Sequence, residues 1–365
     1  MKCPSRLVRF VFAIAASSIA TAGEKVKEPV GFKQMAVTFD HHNTKISGRI
    51  LVPKGTGPHQ AVILVPGHGT RSSELKSNFG YLMPLGKYLC RRGIAVLDYD
   101  RPGTGGSDGD WRLQNLYDRA DEVLAAIEFL KKRFDIDRSR IGVLGHSNGG
   151  WVAPLVASLS NDVSFVVMLA GPAVSVGDQG LYALRMSMED KGFTDVQKRE
   201  GEKMLQDYLD LIRLVLQGRR TEFSRSRDQL IQNMDACSWL GKLPYVNKGS
   251  VPTWDERNDV VNSMDSMIDY DPLPSLRKVH CPLLAVFGEA DKAVNSQESV
   301  KLLEKIRSET GNDGISIKTY PLADHGIRVD GKEPLGFREF VSSWILSQQP
   351  MKTQNKKAAN KSDHD

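Results

Sequence analysis

Three side chains able to act as one chemical unit stand far apart in the chain: Ser147, Asp291 and His325. A serine hydroxyl is a poor nucleophile near neutral pH until a base takes its proton, and histidine suits that exchange. A carboxylate on the second ring nitrogen fixes the histidine tautomer and stabilises the imidazolium. Such a set performs acyl transfer. The hydroxyl attacks a carbonyl carbon, and the histidine takes the proton and later returns it to the leaving group. Asp324 competes with Asp291 for the carboxylate role, although a residue adjacent to the histidine rarely reaches back to its Nδ1. His68 competes with His325 as the base and is less well placed for it.

The stretch Arg140 to Leu159 must present the serine. Ile141 to Leu144 is an apolar run long enough for a buried strand. Gly145-His146-Ser147-Asn148-Gly149 is a turn, and Val152, Leu155, Val156 and Leu159 have helical spacing. Strand, tight turn and helix form the context in which G-x-S-x-G is a nucleophile elbow. A serine held in a strained conformation needs neighbours without side chains, and Gly145 and Gly149 supply them. The elbow points the Asn148 N–H to the same side as the hydroxyl, as an oxyanion donor. A second donor is expected in Pro66-Gly67-His68-Gly69, directly after the apolar run Ala61 to Val65. The backbone of His68 is the assigned residue, with Gly69 as the alternative.

The other elements follow in order. Met35 to Phe39 and Ile46 to Val52 alternate apolar and polar residues and predict an antiparallel hairpin at a sheet edge. Apolar strands are predicted at Ile94–Leu97, Phe165–Leu169, Pro282–Phe287 and Ile315–Tyr320. Helices are predicted at Tyr81–Arg92, Leu116–Phe134, Ser296–Ile306 and Gly336–Leu346. Alternating strands and helices imply a mostly parallel sheet with helices on both faces, whose functional residues lie past the carboxyl ends of the strands. Ser147, Asp291 and His325 each follow a different strand. The glycine-rich Asp98–Ser107 loop lacks any phosphate-binding pattern. It reads as a wall of the site, with Asp100 and Arg101 in structural hydrogen bonds or an ion pair.

From Val174 to Tyr270 strand-like runs vanish, and one long amphipathic helix is marked by Met204, Leu205, Tyr208, Leu209, Ile212, Val215 and Leu216. Shorter helical patterns sit at Gln229–Trp239 and Asp259–Ile268. The expected organisation is a signal peptide over 1–22, core over 23–173, a helical lid over 174–270, core over 271–349 and a disordered tail over 350–365.

The net charge of +5 lies at the ends. Lys2, Arg6 and Arg9 precede an apolar run from Phe10 to Ile19, and Ala20-Thr21-Ala22 forms an A-x-A cleavage site. The basic tail carries the remainder, so residues 23–350 are near neutral and nucleic acid is not an expected partner. The expected location is periplasmic or secreted, with no stable membrane insertion after cleavage. Cleavage leaves Cys90, Cys237 and Cys281, which allow at most one disulfide. No cysteine or histidine grouping has metal-ligand spacing, so no metal or cofactor is implied. His41-His42 reads as a solvated turn.

The blocks Val65–Gly69, Tyr99–Ser107, Gly145–Pro154, Leu169–Pro172, Tyr270–Pro272, Gly288–Asp291 and Asp324–Gly326 resemble an α/β-hydrolase of the bacterial serine aminopeptidase-like or carboxylesterase-like group. The resemblance covers about residues 35–347. It implies the α/β-hydrolase fold with a helical lid, and carries the nucleophile, acid and base onto Ser147, Asp291 and His325. This chain departs at Pro66–Gly69, where many relatives have His-Gly-Ser-Gly-Pro, and at Asn148, where Glu or Gln is common. The implied activity is carboxylesterase hydrolysis of small acyl esters. The alternatives are a serine aminopeptidase or amidase with the same triad, which needs an acidic lid residue such as Glu189 or Glu202, and a catalytically silent binding fold.

Overall fold

The computed structural model describes residues 31–67, 82–240, 251–261 and 263–350. The expected signal peptide, His68, Gly69 and the tail beyond residue 350 lie outside them. Strands β1 (Phe32–His41) and β2 (Thr44–Pro53) form the predicted edge hairpin. The strands β3 (His59–Val65), β4 (Ala95–Tyr99), β5 (Ile136–His146), β6 (Phe165–Leu169), β7 (Leu283–Gly288) and β8 (Ile315–Tyr320) complete one sheet. Its order is β1-β2-β4-β3-β5-β6-β7-β8, antiparallel up to the β2–β4 pair and parallel beyond it. This is the α/β-hydrolase fold.

The helices are α1 (Leu82–Arg91), α2 (Leu116–Lys131), α3 (Gly149–Leu159), α4 (Val176–Asp190), α5 (Asp195–Leu216), α6 (Arg220–Ala236), α7 (Arg257–Val261), α8 (Leu273–Arg277), α9 (Ser296–Thr310) and α10 (Phe337–Ser347). Period-two alternation divides the core between the two sheet faces. On β3, Ala61, Ile63 and Val65 face one cluster with α2, α3 and α9, while Val62 and Leu64 face another with α1 and α10. Helix α2 starts at a capping box of Asn115 and Asp118. It buries Leu116, Ala120, Val123, Ile127 and Leu130, the larger of which contribute about 1.5–3 kcal/mol each. That burial fixes α2 against the strand that carries the elbow.

Helices α4 to α7 lie between β6 and β7 in sequence and share a separate apolar core of Leu184, Met188, Leu211, Ile212, Phe223 and Leu230 among others. The segment expected to be helical from Asp259 to Ile268 is broken after α7. The Ser263 and Ser266 hydroxyls donate to the carbonyls of Val260 and Ser263, offering the backbone an alternative to the helical ladder. Helix α4 has no counterpart in the apolar pattern. It carries two glycines and starts at Ser175, whose hydroxyl accepts from the Asp178 N–H. Among the described residues, no helix is long and apolar enough to cross a membrane.

His41-His42 departs from a simple solvated turn. The turn is there, with His42 and Asn43 at positive φ, but the His41 side chain is 13% exposed and both rings meet Asp121 of α2. The sequence hides this contact because Asp121 is 80 residues away from His41. Cys90, Cys237 and Cys281 are all free thiols.

Candidate active site

The elbow forms because β5 stops at His146 and α3 starts at Gly149, leaving two residues to reverse the chain. Ser147 takes φ 55°, a left-handed conformation that costs about 1–3 kcal/mol in a non-glycine residue. Its N–H donates to the Leu169 carbonyl at the end of β6 (3.0 Å), which helps hold it there. The turn closes so tightly that a Cβ on Gly145 would stand 1.9 Å from the Gly149 carbonyl oxygen, so no other residue fits. A Cβ on Gly67 would stand 3.0 Å from the Ser147 Cβ, which puts the Pro66–Gly67 turn directly beside the hydroxyl.

Asp291 follows β7 and is almost fully buried. Its Oδ1 accepts from the N–H groups of Ala293 and Val294, at 2.8 Å each. Those two bonds fix the carboxylate plane and leave Oδ2 for the histidine. His325 follows β8. Its Nδ1 lies 2.8 Å from Asp291 Oδ2 and its Nε2 lies 2.9 Å from Ser147 Oγ. With Asp291 ionised, Nδ1 carries the proton and donates, and Nε2 accepts from the serine hydroxyl. Asp324 is turned elsewhere: its Oδ1 accepts from the N–H groups of Gly326 and Arg328. The structure therefore brings Ser147, His325 and Asp291 together and leaves Asp324 apart.

Asn148 caps the amino end of α3 with φ −52° and ψ −32°. The first N–H groups of a helix lack intrahelical acceptors and carry its positive dipole end. Beneath this helix end lies a buried charged group that the sequence analysis did not single out. The Arg119 guanidinium donates from Nη1 to Asn148 Oδ1 and from Nη2 to the Pro66 carbonyl at 2.5 Å. Glu122, one turn on, is equally buried and accepts from Gln114 Nε2. Gln114 in turn accepts from Arg101 at 3.4 Å. Burial pushes the Glu122 carboxyl above its ordinary range, against the opposing pull of Gln114, Arg119 and Arg101. A signal for this network was present: Arg119 and Glu122 sit at the apolar spacing of α2, where charge is out of place.

Helix α4 grips the loop that carries the carboxylate. The Tyr182 hydroxyl donates to the Asp291 carbonyl at 2.7 Å, and the Gln179 amide donates to the Ala293 carbonyl. The Asn295 N–H returns a bond to Gln179 Oε1 at 3.3 Å. In the Asp98–Ser107 loop, the Asp100 carboxylate accepts from the Gly106 N–H and Arg101 lies over the Trp111 ring. Asp100 and Arg101 are thus held in structural hydrogen bonds, as expected.

A family model described as serine aminopeptidase, S33, matches residues 56–332. An esterase of Thermotoga maritima, EstD, is 32% identical over 149 residues, which are 40% of this chain and 34% of that protein. The chain thus spans about a third of that relative's length. An uncharacterised 31.7 kDa protein of Escherichia coli, from the traX-finO intergenic region, is 22% identical over 76% of this chain and 88% of its own. Among solved structures, the Pyrococcus furiosus esterase Pf2001 superposes with a TM-score of 0.54 at 18% identity, covering 89% of this chain and 98% of that one. Est1E of Butyrivibrio proteoclasticus, solved with ferulic acid, gives a TM-score of 0.51 at 17% identity over 86% and 98%. At these identities the two structures share the fold.

Proposed function

The chain belongs to the serine aminopeptidase S33 family of α/β-hydrolases, and on that premise we propose a serine hydrolase that cleaves small acyl esters through an acyl-enzyme. One observation carries the reading: the continuous relay from Ser147 Oγ through His325 to Asp291, with both links under 3 Å. In the proposed cycle Ser147 Oγ attacks the ester carbonyl carbon as His325 Nε2 takes its proton. Asp291 stabilises the resulting imidazolium. The oxyanion is held by the Asn148 N–H and the His68 N–H, a type of contact worth about 10²–10³-fold in kcat per donor. Collapse expels the alcohol, which takes the proton from His325. Water then attacks the acyl-enzyme with His325 again as base, releasing the acid and restoring Ser147.

The family description raises the aminopeptidase alternative, which requires an acidic side chain for a free α-amino group. Glu202 is paired with Arg185 at 2.6 Å, and Glu189 lies 3.7 Å from Lys198. Both candidates already face cations, and this favours the ester reading, as do the names of the relatives EstD and Pf2001. The proposal includes export, motivated by the basic, apolar and A-x-A pattern of residues 1–22.

The test is hydrolysis of p-nitrophenyl esters of graded acyl length beside a panel of aminoacyl anilides. Short-ester turnover that falls at least about 10⁴-fold in Ser147→Ala supports the proposal. Anilide cleavage with little ester turnover transfers the assignment to the peptidase, and ester turnover that survives Ser147→Ala removes the mechanism.

A further inference from the structure

We propose that His41, His42 and Asp121 form a binding site for a divalent transition-metal ion of the zinc type, separate from the triad. Successive side chains on a strand alternate between faces. His41 ends β1, and His42 enters the turn with φ 46°. This break in the alternation brings the two imidazoles to one side, with ring centroids 4.5 Å apart. The third group comes from another element, α2. Both Nε2 atoms converge on a single oxygen, Asp121 Oδ2, with His41 at 3.0 Å and His42 in direct contact. The three donor atoms lie within 4.8 Å of one another.

Zinc bonds of about 2.0–2.1 Å in a tetrahedral shell set neighbouring donors roughly 3.3 Å apart. The His41–Asp121 separation of 3.0 Å is already near that value. Two imidazoles and one carboxylate suit zinc, nickel, cobalt or copper, whereas magnesium and calcium prefer oxygen shells. Accessibility is graded as a loadable site requires. The His41 side chain is 13% exposed and His42 is 77% exposed, so one ligand is packed in place and the other closes from solvent. A fourth position is left to water. A bound ion would tie the β1–β2 hairpin to α2, so it would act on stability without touching Ser147.

The test titrates Zn²⁺ alone into the chelator-treated mature protein, following stoichiometry by calorimetry and Tm by differential scanning. The expected result is one ion per chain, with a Tm that rises with zinc concentration because the ion binds the folded state. An equal concentration of Mg²⁺ gives no such rise. His42→Asn keeps a residue that tolerates the left-handed turn and is expected to weaken zinc binding at least tenfold, as is Asp121→Asn. His325→Gln is expected to retain binding, which separates this site from the His146–His325 ring pair, whose centroids are 5.0 Å apart. Absence of zinc binding, or binding that survives both His42→Asn and Asp121→Asn, overturns the proposal and leaves a hydrogen-bonded latch. If Asp121→Asn does not fold, the exposed His42 variant alone decides.

Discussion

Arg119 joins the two backbone turns that flank Ser147, donating to the side-chain oxygen of Asn148 and to the carbonyl of Pro66. The guanidinium is buried and comes from α2, a helix that carries none of Ser147, Asp291 and His325. Its planar fork serves two acceptors at fixed angles, which the single ammonium of lysine cannot reproduce. If Asn148 and the turn after Pro66 hold the oxyanion, Arg119 sets the spacing between its donors.

Arg119→Ala is therefore expected to lower kcat for p-nitrophenyl esters by about 10²-fold, the scale of a small misplacement of catalytic groups. KM should change little, and Arg119→Lys should recover only part of the loss. Steady-state kinetics beside thermal melts make the check. A variant that melts earlier while its folded fraction keeps the wild-type kcat would reduce Arg119 to a structural residue.

Tyr182 supplies the second prediction, because its hydroxyl donates to the carbonyl of Asp291, whose carboxylate meets His325. A hydrogen bond of this kind contributes about 0.5–1.5 kcal/mol net. Tyr182→Phe should loosen α4 first and alter catalysis second. Hydrogen exchange should speed up in α4 and in the 291–295 loop, and kcat/KM should fall severalfold. Unchanged exchange in both segments would mean that α4 is held by its apolar core alone.

The juxtaposition of Ser147, His325 and Asp291 was legible because each stands at a strand end within a short local pattern: the glycines around Ser147, and the Gly288–Asp291 and Asp324–Gly326 turns. The edge hairpin and the buried strands were legible for the same reason, since period-two alternation and unbroken apolar runs are local signals. Helix α4 was not, because Leu184 and Met188 are the only large apolar side chains it fully buries, too few to mark a stripe, and the contacts that hold it to the 291–295 loop reach more than 100 residues along the chain. The partners of Arg119, whose misplaced charge on α2 was itself visible, and the contact of His41 and His42 with Asp121 were hidden likewise. Each pairs residues on different elements, and local spacing says nothing about which elements pack together.

Glu122 predicts a pH dependence of stability. Burial raises its carboxyl in the folded protein above the unfolded value, which is about 4.3. A raised acid binds its proton more tightly when folded. Its contribution to stability is thus fullest below the unfolded value and is lost as pH rises through the folded value. Gln is the permanently neutral near-isostere and escapes that loss. The Tm of Glu122→Gln relative to wild type should accordingly increase from pH 4 to pH 8. A difference that moves the other way would mean that the attraction of Arg119 and Arg101 outweighs burial.

The three thiols should differ in reactivity in a way their positions dictate. Burial pushes Cys90 up to about 12, with Arg91 pulling slightly the other way, and burial also pushes Cys281 up to about 12. Thiolate is the reacting form, so at pH 8 only about one in ten thousand of either group is reactive. Cys237, at the end of α6, is raised as well, by burial and then by the charge of Glu200, but it is half-exposed. Iodoacetamide on the folded protein should therefore modify Cys237 first, faster as pH climbs from 8 to 9. Cys281 is partly exposed too, but its thiol is raised further and should react more slowly than Cys237, whereas the buried Cys90 should react only when denaturant opens the core. Ester turnover should survive the first modification, because none of the contacts of Ser147, His325 or Asp291 described above involves Cys237. Peptide mass spectrometry across a time course gives the order directly. Early labelling of Cys90 would show that α1 opens on the labelling timescale, which its placement against β3 and β4 argues against.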